Sequence, residues 1–319
     1  MKKILFVIDK IELKYFEFNN LVTNFWIIKE FLERGNEVYI TTIPNLSLKK
    51  DVAYTKCYEA FAADDNIFYK NVKIEKMIDD FDLVMFRPDP PVDIDYINAT
   101  YIFDFVTKPK IINSPKAIRD FNEKLHSVYF KDLMSDNIVT ASLEEIEMFL
   151  ALNKQIVLKP LNRCFGSGVM YLYDGDPNTR TIINTMTNSE TTLVMVQKFI
   201  PEVKEGDKRV LTLGDKILPY CVKKLPTKDD FKFNTHNDNF IGAADLSYQE
   251  QNDFAEVAKK LNTIGISMAG LDVIDGKIIE VNVTSPCYFI KEINSLYNVH
   301  LEKEICNFIL TDSLLTLKK

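Results

Sequence analysis

Asp272, Glu280 and Asn282 are the residues whose types and spacing in this chain suggest chemistry first. They lie in Gly270-Leu-Asp-Val-Ile-Asp-Gly-Lys-Ile-Ile-Glu-Val-Asn-Val-Thr-Ser-Pro286, where two β-branched runs (271–274 and 278–283) flank Asp275-Gly276-Lys277. That pattern predicts a hairpin. A two-residue turn would set Asp272 and Glu280 on opposite faces. A three-residue loop, eased by Gly276, sets them directly opposite one another, with Asn282 next along the same face. Two carboxylates and an amide oxygen on an otherwise apolar hairpin are costly to bury without a cation. Hard oxygen donors of this kind suit Mg²⁺, above all where phosphates complete its shell. An exposed hairpin with solvated acids fits the same residues about as well.

Cations elsewhere could share a cleft with those acids. Lys159 ends the apolar run Gln155-Ile-Val-Leu158 and precedes a loop, Asn162-Arg-Cys-Phe-Gly-Ser-Gly168, with two glycines. A lysine there can meet a phosphate with loop N–H groups as co-donors, or simply snorkel at a strand end. The loop lacks a Gly-Lys-Ser/Thr ending and is no Walker loop. Lys124, in Asn122-Glu-Lys-Leu125, reads alone as a surface lysine. Arg209 begins a strand-like run and faces either a cleft or solvent. Arg87-Pro-Asp-Pro-Pro91 leaves a strand end rigidly, where α/β domains place ligand residues; a rigid turn with solvated charges fits equally.

The elements that must position these residues follow from periodicity. Strands are expected at residues 4–8, 38–43, 83–86 and 111–112, with helices at 20–34 (Leu21, Phe25, Ile28 and Leu32 inward, stopped by Gly35) and 96–106. A boundary near Asn113-Ser-Pro115 precedes helical stretches at 116–121 and 122–133. Then come a helix at 143–152 opened by Ser142 and Glu145, strands at 156–159, 169–173 and 193–199, and a helix introduced by residues 176–178. A long helix at 247–264 and a closing one at 301–315 complete the pattern. The glycine-free first turn, Asp9-Lys10-Ile11-Glu12, argues against a phosphate cradle at that position.

Composition narrows the function classes. The 319 residues are 46% apolar and 27% charged, with a formal charge of −7. No basic excess is present to neutralise a nucleic-acid backbone, though local cations can still dominate one cleft. Five scattered cysteines (57, 164, 221, 287 and 306) form no CxxC pair, which fits reduced thiols in a cytoplasmic protein rather than a disulfide scaffold or zinc site. Asp9 and Lys10 interrupt the first apolar run too early for a signal peptide, and no run reaches membrane-spanning length.

Seven segments stand in the order found in the bacterial type of glutathione synthetase: residues 87–91, 122–125, Leu158-Lys-Pro-Leu161, Gly206-Asp-Lys-Arg-Val-Leu211, Pro219-Tyr-Cys221, Gly270-Leu-Asp-Val-Ile274 and Glu280-Val-Asn-Val-Thr-Ser-Pro286. The chain resembles that family over nearly its whole length. The resemblance implies an α/β protein with the ATP-grasp fold: an N-terminal open α/β (pre-ATP-grasp) domain on the substrate side (1–121), a lid subdomain (122–200) and a C-terminal α+β subdomain with the metal site (201–319). It implies that Lys124 and Lys159 hold ATP phosphates, that Gln197, Lys198, Phe199 and Ile200 form the adenine hinge, and that Asp207 lies near the ribose. Asp272, Glu280 and Asn282 would bind two Mg²⁺, with Mn²⁺ as a substitute. Arg209 would be the catalytic cation, and Arg87, Lys232, Asn234, Thr284 and Ser285 would bind substrate. The implied reaction phosphorylates a carboxylate with ATP and lets an amine attack the acyl phosphate, so γ-glutamylcysteine and glycine give glutathione. Phosphoryl transfer needs alignment and charge neutralisation, not a protein nucleophile, which leaves the three histidines without a catalytic role. Small-molecule substrates, no nucleic acid, no membrane and a homo-oligomer complete the expectation.

Two segments depart from the family. Arg163, Cys164 and Phe165 replace small residues in the glycine-rich lid, and Lys232 replaces a substrate-side arginine within residues 231–240, losing bidentate carboxylate recognition. Both leave open a same-family ligase with another amine acceptor or γ-glutamyl peptide. A nucleotide-binding module with little ligase activity is the alternative from another class.

Overall fold

Five consecutive buried side chains, Ile4 to Ile8, make β1 (Lys3–Ile8) a strand covered on both faces. The computed structural model describes residues 1–9, 22–163, 166–226 and 241–311. Helix α1 (Thr23–Glu33) buries Phe25, Ile27, Ile28 and Phe31 and returns the chain to β2 (Glu37–Thr42), parallel to β1. Gly35, at φ +76°, permits the sharp exit between them. Residues 46–77, to which the periodicity above assigns no element, form β3 (Leu46–Lys49), β4 (Val52–Ala63), β5 (Asn66–Tyr69) and β6 (Ile74–Met77). The chain then re-enters beside β1 as β7 (Leu83–Phe86), and after α2 (Ile94–Ile102) adds β8 (Lys110–Ile112). The sheet order is β3-β4-β2-β1-β7-β8, with β5 and β6 paired to β4. Because the chain leaves β1 first toward β2 and later toward β7, the strand ends carrying Asp9 and Arg87 flank the switch point where open α/β sheets bind ligands.

A short helix, α3 (Pro115–Asp120), is capped by Ser114 and followed by a turn and a 3₁₀ stretch, Leu125–Leu133, rather than the α-helix expected over 122–133. The second sheet is antiparallel, β11-β10-β12-β9, built from β9 (Asn137–Thr140), β10 (Gln155–Pro160), β11 (Met170–Tyr173) and β12 (Val194–Lys198). Helices α4 (Leu143–Asn153) and α5 (Thr179–Met186) cover one face, burying Ile146, Leu150, Ile183, Ile156, Leu158, Val194 and Val196. Ser142 caps α4 by accepting the Glu145 N–H at 3.3 Å.

The third sheet, β15-β14-β13-β16-β17, comprises β13 (Asp207–Leu213), β14 (Lys216–Lys224), β15 (Ile241–Ala244), β16 (Met268–Ile274) and β17 (Lys277–Asn282). Helix α6 (Tyr248–Thr263), started by a complete Ser247–Glu250 capping box, packs Phe254, Val257 and Leu261 on the face formed by Val210, Leu271, Val273 and Val281. An unexpected helix, α7 (Ile290–Tyr297), leads to α8 (Leu301–Leu310). The closing helix, expected to reach residue 315, ends at Leu310, where Thr311 turns extended; residues 312–319 lie outside the described residues. Asn113 joins the first and third sheets. Its amide donates to Met268 O (2.7 Å) and Val283 O (2.8 Å) and accepts from the N–H groups of Ser267 (2.9 Å) and Met268 (2.8 Å). No described helix is long and apolar enough to cross a membrane.

Candidate active site

The hairpin that carries the acids solves its register problem in an unforeseen way. Ile274 pairs with Lys277, so the turn has two residues, Asp275 and Gly276, both at positive φ (48° and 71°). Such a turn alone would put Glu280 out of register with Asp272. A bulge after Val273↔Ile278 skips Ile279 and restores Asp272↔Glu280, with Gly270↔Asn282 beyond. The expectation of a three-residue loop is thus corrected, while the same-face arrangement it was meant to give is found.

Strand alternation then divides the third sheet into an apolar face under α6 and an opposite face that is apolar at one end, where Leu211, Leu213, Val222 and Met268 join a second core, and charged at the other. Arg209 lies directly opposite Asp272 across β13 and β16, and Asp207 opposite Lys224 across β13 and β14. Arg209 forks onto Asp272, Nε to Oδ1 at 2.8 Å and Nη2 to Oδ2 at 3.1 Å. Lys224 Nζ bridges Asp272 Oδ1 (2.8 Å) and Asp207 Oδ1 (2.7 Å). Asn282 Nδ2 donates to Asp272 Oδ2 at 3.0 Å. Burial would raise Asp272, but Arg209 and Lys224 outweigh it and hold the carboxyl well below the usual carboxylate range. Asp207 is pushed up by burial, against the pull of Lys224. Room for the guanidinium comes from Gly270: a Cβ there would sit 2.8 Å from Arg209 Nη1.

The second sheet supplies the facing wall. Lys159 and Gln197 point away from α4 and α5, and Lys159 Nζ donates to Gln197 Oε1 (2.7 Å) and to the bulge carbonyl, Ile279 O (3.2 Å). Burial lowers the Lys159 ammonium to about 8, despite the opposing field of Glu280. Lys124 Nζ donates to Glu280 Oε1 (2.7 Å) and Arg163 O (2.6 Å). Gln197 Nε2 is buried without a hydrogen-bond partner among the described residues, a donor oriented for something the chain does not provide. Lys198 is exposed on the other side, and the N–H groups of Lys198 and Phe199 are committed to Asp136 O and Gln155 O; Phe199 packs its ring against Tyr171.

The residues expected on the substrate side form a second group. Arg87, buried at the end of β7, donates to Asn24 Oδ1 (2.6 Å) and Pro286 O (2.9 Å). Asp89 is raised to about 6 by burial and by neighbouring Asp9, opposed by a hydrogen bond with Ser285 and by Arg87. Thr284 gives its N–H and hydroxyl to Glu123 Oε1, both at 3.0 Å. Lys232 and Asn234 lie outside the described residues. So Lys124, Lys159, Gln197, Asp207, Arg209, Asp272, Glu280 and Asn282 share one enclosed network, and Arg87, Thr284 and Ser285 flank it. Sequence reasoning missed Lys224 and Glu123. Lys224 stands among four lysines and an arginine between residues 204 and 224, with no spacing signal to single it out; Glu123 was visible inside Asn122-Glu-Lys-Leu125 but carried no role.

The donor set fits a hard divalent cation: two carboxylates and an amide oxygen on one face, beside Lys124 and Lys159. Among the described residues no three His, Cys, Asp or Glu side chains converge on one point, so Asn282 is needed to complete such a set. The network is also balanced in number, Lys124, Lys159, Arg209 and Lys224 against Glu123, Asp207, Asp272 and Glu280. A polyphosphate entering it must bring further positive charge with it.

Known proteins resemble this chain in sequence and in fold. Residues 2–119 match the family model for the N-terminal domain of prokaryotic glutathione synthetase, and residues 123–298 that for its ATP-grasp domain. Glutathione synthetase of Vibrio parahaemolyticus is 34% identical over 293 residues, covering 90% of this chain and 92% of that protein. That of Neisseria meningitidis serogroup A is 33% identical over 275 residues, covering 84% and 86%. Among solved structures, D-cycloserine synthetase DcsG superposes with a TM-score of 0.68 at 11% identity, over 96% of this chain and 99% of that one. D-alanyl-alanine synthetase A from Vibrio cholerae gives 0.63 at 12% identity, over 98% of each chain. At those identities the structural likeness speaks to the fold alone, whereas the family models and relatives span the sequence: the chain belongs to the prokaryotic glutathione synthetase family of ATP-grasp ligases.

Proposed function

We propose that the chain is an ATP-dependent carboxylate–amine ligase that joins γ-glutamylcysteine to glycine. The observation that carries this is the enclosed face where Lys124, Lys159 and Arg209 meet Asp272, Glu280 and Asn282, with Gln197 Nε2 awaiting an acceptor. A substrate carboxylate oxygen attacks the γ-phosphorus, the bond to ADP breaks, and an acyl phosphate forms. The amine then attacks the acyl carbon, phosphate leaves, and the nitrogen loses a proton to give the amide. Lys124 and Lys159 align the phosphates by charge, and Arg209 faces the oxygens on which negative charge develops. Asp272, Glu280 and Asn282 are suited to hold Mg²⁺, which when bound neutralises phosphate charge. Gln197, with Lys198, Phe199 and Ile200, borders the base, and Asp207 the ribose. Arg87, Thr284, Ser285, Lys232 and Asn234 are assigned to the peptide side. The parts 1–121, 122–200 and 201–319 are taken as substrate-side domain, lid and metal-bearing subdomain. A cytoplasmic homo-oligomer acting on small molecules completes the reading, and light scattering checks its oligomeric state.

The test is ADP release with Mg-ATP and γ-glutamylcysteine, with and without glycine, and mass spectrometry of the product. Glycine-dependent turnover to glutathione is the expected result. Turnover only with another amine would shift the assignment to the acceptor side, where Lys232 departs from the family. Glu280→Gln, which keeps the side chain's shape but removes its charge, should abolish turnover while leaving the melting curve close to wild type; full activity in that variant sinks the metal assignment.

A further inference from the structure

The turn that presents Lys124 is closed by a side chain to which the proposed reaction gives no part. Asn122 organises this turn: its Oδ1 accepts the N–H groups of Lys124 (3.1 Å) and Leu125 (2.9 Å), and its Nδ2 donates to Leu161 O (3.0 Å) just beyond Lys159. The backbone N–H of Asn122 is donated in turn to Nδ1 of His126 at 2.7 Å, and the His126 N–H returns to Asn122 O at 2.9 Å. The imidazole stacks on Phe121, with centroids 5.3 Å apart and planes at 28°, and Tyr129 packs beside it at 5.3 Å. A ring nitrogen that accepts an amide proton must carry a lone pair. The closing bond therefore exists only with the neutral ring, its proton on Nε2.

The charges around the ring are few. Asp120, on α3, favours the imidazolium, and Lys116 holds that carboxylate at 2.5 Å. Lys260, reaching over from α6, places its ammonium above the rings of Tyr129 (5.0 Å) and Phe130 (5.3 Å). Burial keeps His126 below its ordinary range, against the Asn122 backbone and Asp120, both of which pull it up. The folded turn is built for the neutral form.

We propose that His126 is a positioning residue for Lys124: its neutral ring closes the turn at Asn122, and protonation opens it and weakens nucleotide binding in acid. The inference rests on the reading of Lys124 as a phosphate ligand. With the ring charged, Nδ1 becomes a donor facing the donor it formerly served. The Asn122 N–H loses its acceptor, and the segment that carries Glu123 to Thr284 and Lys124 to Glu280 loses a tether.

Calorimetric ATP binding to the full chain at about pH 8 and about pH 5.5, on either side of the imidazole range, tests this. Wild type should lose affinity in acid by several-fold, up to about tenfold, the scale of one hydrogen bond. His126→Phe keeps the stack on Phe121 but accepts nothing, so it should bind weakly by that factor at both values. His126→Asn keeps an acceptor near the place of Nδ1 and does not titrate; it should match wild type at the higher pH and lose least in acid. ATP and every other group titrate alike in all three proteins, so the differences between them report His126. A His126→Phe profile that coincides with wild type overturns the proposal. Absence of nucleotide binding by wild type at either pH overturns the reading of Lys124 beneath it, and the proposal with it. Melting curves check that the variants fold; should His126→Phe fail, an acid loss in His126→Asn equal to that of wild type is itself a refutation.

Discussion

Arg87 and Arg209 are both buried, and the partners described for them differ. Arg209 forks onto the Asp272 carboxylate within a single sheet, adds Cys287 O at 3.3 Å, and lies 5.8 Å from the Phe289 ring. Arg87 donates to an amide oxygen on α1 and to a carbonyl at Pro286, positions 63 and 199 residues away along the chain. The first is a locked electrostatic unit whose charges cancel where they stand. The second is a pin between separate parts of the molecule, and its field still reaches Asp89. On the proposed function, disturbing the first should change charge at the nucleotide side, and disturbing the second should change how the peptide side is assembled.

The largest effect should come from breaking the locked unit. Arg209→Met leaves buried Asp272 with Lys224 as its one cationic partner among the described residues, and breaking a buried pair costs roughly 3–5 kcal/mol. Urea unfolding should show that loss, and ADP release should vanish with it. Arg87→Met strips donors from Asn24 Oδ1 and Pro286 O and should cost about 2 kcal/mol. Its kinetic signature separates the two regions: KM for the peptide rises while KM for ATP stays nearly fixed. An effect of Arg87→Met confined to ATP would dissolve the distinction.

How much of this was legible in the sequence differs between the regions in an instructive way. The carboxylates and amide of the hairpin were visible because period-two spacing fixes faces once the register is known. The register itself was not, because a bulge at Ile279 has no composition signal and depends on the neighbouring sheet, whose Lys159 takes its carbonyl. The cations were recognised through motif order, but their partners were not. Arg209 could face cleft or solvent until Gly270 was seen to make room for it opposite Asp272. Residues 46–77 went unassigned although Val52–Ala63 is one long strand; its pairing with β2, β3, β5 and β6 is decided by tertiary contacts. Helix α7 starts from Phe289 in the left-handed region, an N-terminus with no capping residue to announce it.

Gly270→Ala is a finer probe of the locked unit, since it removes no polar group. The added methyl would lie 2.8 Å from Arg209 Nη1 and 3.0 Å from its Cδ, closer than side chains pack. The guanidinium must shift, at a cost of about 1–2 kcal/mol for overpacking. Turnover should fall more than stability does, because the fork onto Asp272 is disturbed rather than removed. Stability and turnover equal to wild type would mean that Arg209 has slack its fork does not suggest.

The smallest expected effect concerns pH, and it too distinguishes the regions. Burial brings Lys159 to about 8, so its ammonium is present below that value and lost above it. A phosphate held by that charge binds less tightly as pH rises through about 8, and bound phosphate in turn favours the ammonium, so binding takes up a proton there. KM for ATP should therefore climb a few-fold over the next unit, while KM for the peptide, assigned above to the Arg87 group, should not follow it. Lys159→Arg places a cation that does not titrate in this range at the same strand end. It should bind less well at neutral pH for want of the same fit, yet its KM for ATP should stay level through the alkaline limb. A rise that persists in Lys159→Arg would assign the titration to another group and leave Lys159 as a structural tie between Gln197 and the bulge.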